Sequence, residues 1–238
     1  MARILVTRAA PEADATAARL RALGHNAVIS PVLEIDPVSA KINVSGVQAL
    51  LFTSAAAARA VAYDRTLKAL PVLAIGDATA KAAQAVDFTN VHSAGGADLV
   101  DVAKAAWKPE GGAILHLSGE DVAGDLAGDL AKAGFETRRT IVYRARFAAM
   151  LTAEASDYFK AGMIDAVLFH SARGGESFAR LAGAAGVTHA LSSVDALCFS
   201  DRVAESVKSL SWRAILVASA PREEALLSLI TPAAGERT

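Results

Sequence analysis

Short apolar runs alternate with longer helical stretches from one end of the chain to the other. Most of the runs are continuous in Val, Ile and Leu, which is typical of parallel strands covered on both faces. Ten segments fit a strand, and the weakest of them is 89–92: they are 3–7, 26–30, 48–52, 72–76, 89–92, 113–117, 137–143, 165–169, 195–199 and 214–218. Regular alternation of strands and helices predicts an α/β protein with parallel sheets.

Proline and glycine mark the ends of two predicted helices. Pro11 stands at the first turn of a helix over 11–23, and Gly24 follows its last residue. Gly134 likewise closes a helix over 122–133. Proline suits a first turn because its nitrogen needs no partner there, and glycine suits the residue after a helix because it adopts positive φ.

The chain also repeats itself. The matching pairs are LLFTSAAAARAVA (50–62) with VLFHSARGGESFA (167–179), VLAIGDATAKAAQ (72–84) with ALCFSDRVAESVK (196–208), and the strand–helix–strand unit 4–30 with 114–143. GAILHLSGE (112–120) also resembles RAILVASAP (213–221), so this strand has two candidate counterparts. Two copies of one strand–helix array are therefore expected.

The order of the repeats predicts a discontinuous lobe. The strand–helix–strand unit opens the chain in one copy but closes the array in the other. We therefore expect residues 1–30 to join 147–238 in one lobe, and 38–139 to form a second lobe inserted between them. Each lobe would be flavodoxin-like, with five parallel strands in a doubly wound sheet. The crossing segments 31–37 and 140–146 are expected to pair as a two-stranded linker.

Composition narrows the class of protein. The 238 residues are 53% hydrophobic and 21% charged, which is enough apolar material for a real core. Lys+Arg 24 against Asp+Glu 25 leaves a net charge of -1, so nucleic acid and membrane surfaces are not expected partners. One cysteine and five scattered histidines predict neither a disulfide framework nor a metal site. With no targeting or spanning segment in view, a cytoplasmic protein is expected.

Small polar or charged residues follow most predicted strands, at the edge where doubly wound sheets bind their ligands. The candidate binding residues are Arg8, Ser54, Gly76, Thr79, Ser118, Gly119, Ser171, Ser200 and Arg202. Helix N-termini that follow such strands attract anions, so a large ligand with several anionic groups is implied. Two plainer readings stay open, in which the serines are helix caps and the arginines are solvated surface charges.

Other motifs are missing or weak. The chain contains neither GxxxxGK[ST] nor GxGxxG, and GxSxG is absent around Ser171. His116 and His170 lie at strand ends and are read as core or rim residues. Cys198 lies in a buried strand and is read as inert packing.

The order and spacing of eight segments resemble the uroporphyrinogen-III synthase family over essentially the whole chain. These segments are ILVTRA, ALGHNAVISPVLEIDP, LLFTSAAA, VLAIGDATAKA, GFETRRTIVYRA, DAVLFHSA, ALCFSDRVAE and AILVASAPREEALL. The resemblance implies two flavodoxin-like lobes on a flexible linker and a lyase without metal or organic cofactor. It implies that hydroxymethylbilane is cyclised, with loss of water and inversion of ring D, to uroporphyrinogen III for haem biosynthesis.

The resemblance also assigns roles. Tyr143 matches the family's linker tyrosine and is the candidate to hydrogen-bond the departing hydroxyl; the alternative is that it only packs in the hinge. Thr79 matches the threonine of a Gly-x-x-Thr turn, and Arg8, Ser54, Ser171 and Ser200 match strand ends that face the cleft. This chain departs from many members at Ala123, where they have arginine, and at 200–203, where some have a second Gly-x-x-Thr turn.

The resemblance leaves the partners as expectations. The small-molecule substrate, a monomeric state and a transient contact with the upstream hydroxymethylbilane synthase are expected. The alternative is a non-catalytic two-lobe protein that binds a polyanionic small molecule.

Overall fold

The computed structural model describes residues 1–94, 98–122 and 124–230, so Ala123 lies outside the described residues. The chain divides into two compact units. Unit 1 comprises Met1–Glu34 and Arg146–Thr238, and unit 2 comprises Ile35–Ala145.

Eleven strands occur in the described part of the chain. They are β1 (Arg3–Val6), β2 (Asn26–Ile29), β3 (Leu33–Pro37), β4 (Val47–Phe52), β5 (Val72–Ala74), β6 (Val91–Ser93), β7 (Ala113–Gly119), β8 (Thr137–Phe147), β9 (Ala166–Phe169), β10 (Asp195–Cys198) and β11 (Ala214–Val217). Each of the ten predicted strands is found, with ends shifted by a few residues.

Nine α-helices lie between the strands in the same described segments. They are α1 (Glu12–Ala22), α2 (Ala55–Ala60), α3 (Asp77–Gln84), α4 (Leu99–Ala106), α5 (Leu126–Lys132), α6 (Ala153–Lys160), α7 (Ala172–Ala184), α8 (Asp201–Val207) and α9 (Glu223–Leu227). Short 3₁₀ turns cover Arg65–Ala69, Pro109–Gly111 and Thr188–Ser193. Helix α5 is shorter than predicted because Asp125 takes the N-cap position and accepts a 3.0 Å bond from the Gly128 N–H. No helix in the described segments is both long enough and apolar enough to cross a membrane.

Unit 1 is built on a five-stranded sheet in the order β2-β1-β9-β10-β11. All four neighbouring pairs are parallel. Renumbered within the unit, the order is 2-1-3-4-5, which is that of flavodoxin. The predicted α/β class with parallel sheets is therefore confirmed.

Unit 2 carries a six-stranded sheet in the order β3-β8-β7-β4-β5-β6. The strands from β4 to β8 pair in parallel. Strand β3 adds a sixth position next to β8, and beyond its end the Val38 N–H donates to the Val142 carbonyl at 2.8 Å. The sequence LEIDP alternates in polarity and ends in proline, which suits a strand at the edge of a sheet.

The strand orders decide which repeats correspond. The parallel strands β8-β7-β4-β5-β6 of unit 2 occupy the same sequence of positions as β2-β1-β9-β10-β11 of unit 1. Strand β7 therefore corresponds to the central strand β1, as the match of 114–143 with 4–30 predicted. The resemblance of 112–120 to 213–221 is wrong as a structural match, because β11 is an edge strand.

Each sheet is covered on both faces, which explains the continuous apolar runs. In β1, Leu5 packs into one core cluster, while Ile4 and Val6 pack into a cluster on the other face. In β4, Leu50 and Leu51 likewise belong to opposite clusters. Successive side chains of a strand point to opposite faces, so both faces must be apolar when both are buried.

Candidate functional site

The predicted site residues fall into two groups, each at the carboxyl edge of its own sheet. Six belong to unit 2: Ser54, Gly76, Thr79, Ser118, Gly119 and Tyr143. Four belong to unit 1: Arg8, Ser171, Ser200 and Arg202. Parallel strands end at one edge, so each group is brought together by its own sheet.

Tyr143 lies directly on Gly119. The register between β7 and β8 shifts between Ser118 and Gly119, and this places Gly119 opposite Tyr143. A Cβ on Gly119 would lie 2.6 Å from the ring carbon Cζ and 2.8 Å from the hydroxyl oxygen of Tyr143. The Glu120 N–H donates to the Tyr143 carbonyl at 3.0 Å and holds the two strands together here. Only glycine leaves room for the phenol ring in this place.

The Arg139 side chain donates hydrogen bonds to three consecutive residues at the end of β7. Its Nε donates to Ser118 Oγ at 2.8 Å, and its Nη2 donates to the carbonyls of Gly119 at 2.7 Å and Glu120 at 2.6 Å. Ser118 is fully buried, and its hydroxyl donates to the Gly119 carbonyl at 2.9 Å. The Ser118 hydroxyl therefore supports the strand end.

Sequence reasoning missed Arg139. The bulge in the β7–β8 pairing interrupts the alternation of β8, so the spacing of four residues between Arg139 and Tyr143 gave no signal that both side chains meet the end of β7. Both side chains contact Gly119.

His116 is a buried imidazole behind this strand end. Its Nε2 lies 3.1 Å from the Thr53 hydroxyl. Burial, and secondarily the Arg139 guanidinium, lower the pKa of His116 to about 4. The imidazole is therefore neutral at physiological pH and adds no positive charge to this edge of the sheet.

The helices that follow β4 and β5 differ in whether a side chain caps the N-terminus. The Ser54 hydroxyl caps α2 by accepting a 3.1 Å bond from Ala56 N–H. Gly76 precedes α3 with φ 77°, and no side chain in the described segments caps that helix. Thr79 is buried in the first turn, and its N–H donates to the Gly76 carbonyl at 3.1 Å. Helix α3 therefore keeps uncapped N–H groups that suit an anion, although Asp77 adds a negative charge in the same turn.

Unit 1 presents cations and hydroxyls at its own strand ends. Arg8 is partly exposed, and its Nη1 lies 3.7 Å from Glu223 Oε2. Ser171 caps α7 through a 3.1 Å bond from a backbone N–H of the first turn. Ser200 stands at the N-cap of α8 without a side-chain cap bond, and Arg202 is exposed in the first turn.

His170 is the second buried imidazole. Neither of its ring nitrogens has a hydrogen-bond partner among the described residues. Burial, and secondarily Arg8, lower the pKa of His170 to about 3. In the repeat, His170 corresponds to Thr53, while Val6 takes the place of His116, so the partner seen in unit 2 is replaced by an apolar side chain.

Within the described residues, no group of three or more His, Cys, Asp or Glu side chains is placed to hold a metal ion.

Comparisons with known proteins agree on one family. The family model described as uroporphyrinogen-III synthase HemD matches residues 14–228. The crystal structure of uroporphyrinogen-III synthetase from Helicobacter pylori 26695 is 17% identical, covers 96% of this chain and 98% of its own, and superposes with a TM-score of 0.65. A mutant uroporphyrinogen III synthase from the thermophilic bacterium Thermus thermophilus is 17% identical over 96% of each chain, with a TM-score of 0.48. No curated protein sequence matches the chain. The Helicobacter structure shows that the fold is shared.

Proposed function

The chain belongs to the uroporphyrinogen-III synthase family, and we propose how its own residues act on the linear tetrapyrrole hydroxymethylbilane. The family cyclises this substrate with loss of water and inversion of ring D, so the protein is a cyclising lyase of haem biosynthesis. The observation that carries this function is the match of the family model over residues 14–228.

The physical problem in this reaction is selectivity. Loss of the terminal hydroxyl leaves an azafulvene-type cation on the linear chain. Without an enzyme, this cation closes at the free carbon of ring D and gives isomer I. Attack by the substituted carbon gives a spiro intermediate, which fragments and recloses as isomer III. A bias of about 3 kcal/mol between the two transition states suffices for more than about a hundredfold preference. The main task of the protein is therefore to hold the substrate in the conformation that leads to inversion.

Tyr143 is our candidate for the first step, as the phenol that donates a hydrogen bond to the departing hydroxyl. Its ring is wedged against Gly119 at the carboxyl edge of the unit 2 sheet, and the side chain remains partly exposed. A phenol held in one place can stabilise the leaving oxygen without an ordering cost at the moment of reaction.

The strand ends are our candidates for the substrate carboxylates. In unit 2 these are the uncapped N-terminus of α3 at Gly76 and Thr79, with Ser54, Ser118 and Gly119 at the neighbouring strand ends. In unit 1 they are Arg8, Ser171, Ser200 and Arg202. Helix N-termini and guanidinium groups both favour carboxylates.

The domain motion is also part of the proposal. Lobes over 1–30 with 147–238 and over 38–139, joined by linker strands 31–37 and 140–146, would close on the substrate. We propose that the protein acts as a monomer in the cytoplasm. Its labile substrate would be received in a transient contact with hydroxymethylbilane synthase.

The decisive experiment supplies hydroxymethylbilane, oxidises the products and separates the isomers. Isomer III, formed faster than the uncatalysed closure, is the expected product. If isomer I alone formed at the uncatalysed rate, the proposed function would be wrong.

A Tyr143→Phe variant tests the assigned role. We expect turnover to fall about a hundredfold, because a positioned proton donor contributes on that order. Tyr63→Phe is the matched control, since Tyr63 lies in unit 2 and is almost fully exposed. Wild-type turnover in Tyr143→Phe would remove the phenol from the mechanism.

A further inference from the structure

We propose that Arg139 binds a carboxylate of the substrate and holds it at the end of β7, against which Tyr143 also packs, an inference that rests on the function proposed above. The predicted site residues do not include this arginine. Its guanidinium and the Tyr143 ring both contact Gly119, so the two side chains share one strand end.

The anchoring of Arg139 is unusually complete for a side chain that remains exposed. Nε and Nη2 together make three hydrogen bonds, to Ser118 Oγ and to the carbonyls of Gly119 and Glu120. These bonds remove most of the conformational freedom of a long side chain. The residue is nevertheless exposed, so part of the guanidinium faces solvent. An arginine fixed before the ligand arrives loses little entropy on binding it.

One edge of the guanidinium is left for a ligand. Among the described residues, the Nη1 group of Arg139 makes no hydrogen bond, and it carries two N–H donors. Carboxylates accept such paired donors in short, charge-assisted bonds. The geometry at Nη1 therefore matches the chemical group that the substrate carries in several copies.

In the described part of the chain, Arg139 forms no ion pair with an acidic side chain, unlike the neighbouring Arg138 and Arg144. The carboxylate of Glu120, the residue after β7, pairs with Arg144 Nε at 3.2 Å, and Arg139 bonds the Glu120 carbonyl. His116, opposite Arg139 in the β7–β8 register, is buried and hydrogen-bonded to Thr53. The positive charge of Arg139 is therefore available to an anion.

The neighbouring arginine provides a matched control. Arg138 lies on the opposite face of β8, and it bonds Glu136 Oε1 at 2.8 Å and the Ser45 carbonyl at 2.7 Å. Both of these partners precede their strands, at the amino edge of the sheet. Arg138→Gln therefore removes the same charge from the same strand, away from Tyr143.

The test compares Arg139→Gln, Arg139→Lys and Arg138→Gln in steady-state kinetics with hydroxymethylbilane. For Arg139→Gln we expect KM to rise about tenfold, as for loss of one hydrogen bond to a charged group, with kcat within about twofold. Arg139→Lys retains the charge and should show a smaller rise in KM. Arg138→Gln should behave as the wild type.

A second measurement separates this proposal from the proposed function. Uroporphyrin III, an oxidised macrocycle with eight carboxylates, is titrated and its fluorescence gives Kd. Selective weakening in Arg139→Gln, about tenfold, supports the carboxylate site even if the wild type made no isomer III. An unchanged KM and Kd in a folded Arg139→Gln, or an equal loss in Arg138→Gln, would overturn the proposal. A lowered Tm with unchanged KM and Kd would assign Arg139 to structure alone and also overturn it.

Discussion

Replacing His170 with leucine is expected to stabilise the protein. Both imidazole nitrogens are buried, and neither has a partner among the described residues. An unpaired polar group in the interior costs about 1–3 kcal/mol. Leucine is apolar and of similar size, and the Phe199 ring, 5.7 Å from the imidazole, gives it an apolar neighbour. At pH 7 we therefore expect the free energy of unfolding of His170→Leu to rise by about 1–3 kcal/mol.

The same substitution should also make the free energy of unfolding less dependent on pH in mild acid. The folded pKa of His170 is about 3, whereas an unfolded histidine titrates near its ordinary value of 6.5. Below pH 6.5 this histidine takes up a proton in the unfolded chain but stays neutral in the folded chain, so the free energy of unfolding falls as pH falls. The loss is about 1.4 kcal/mol per pH unit, or about 2 kcal/mol between pH 6.5 and pH 5. Carboxylates titrate mostly below this window, so the slope there reports on histidines.

Urea unfolding followed by Trp212 fluorescence provides the assay. Trp212 stacks on Phe178 at 5.7 Å in the core of unit 1, and a Trp107→Phe background leaves it as the single tryptophan. Titrations at pH 7, 6, 5.5 and 5 give both the gain and the slope. A His170→Leu variant that is less stable at pH 7, or that keeps the wild-type slope, would refute the reasoning. Either result would mean that the imidazole nitrogens are hydrogen-bonded in solution.

Three further outcomes follow from contacts in the structure. His116→Leu should also reduce the loss of stability with falling pH, now monitored by Trp107 in unit 2. At pH 7, however, it should lower the free energy of unfolding by about 1–3 kcal/mol, because it leaves the Thr53 hydroxyl unpaired. Equal or higher stability at pH 7 would contradict the 3.1 Å contact. Gly119→Ala should lower turnover about a hundredfold in the isomer assay, since its methyl group would push the Tyr143 ring from its place, and unchanged turnover would show that the ring position is irrelevant. Cys198 should resist a thiol reagent at pH 8 and react once urea unfolds the chain, because burial raises the pKa of its thiol to about 12; rapid labelling of the folded protein would count against its burial.

Much of the fold could be read from local pattern. The run Ile4–Val6 is apolar without alternation, and this alone predicts a strand buried on both faces, as the two core clusters confirm. Gly24 and Gly134 marked helix ends correctly, since both have positive φ there. These signals are local, because each depends on residues within a few positions of one another.

Pairing between strands could not be read in the same way. GAILHLSGE resembled two different segments, and only the position of β7 between β4 and β8 shows that its counterpart is β1. The missed role of Arg139 has the same origin. Its contacts with 118–120 depend on the pairing of β8 with β7, which joins residues about twenty positions apart.

The sequence by itself therefore determined the class of fold, the strands, the repeat and the resemblance to a family, because these depend on residue type and spacing. Only the tertiary structure decided what each side chain touches at the strand ends. His170 and His116 stand at comparable strand ends, yet His116 faces Thr53, whereas the nitrogens of His170 have no hydrogen-bond partner among the described residues. Register and neighbouring strands make that difference, because a hydrogen bond requires atoms within about 3 Å and a repeat in sequence does not specify them.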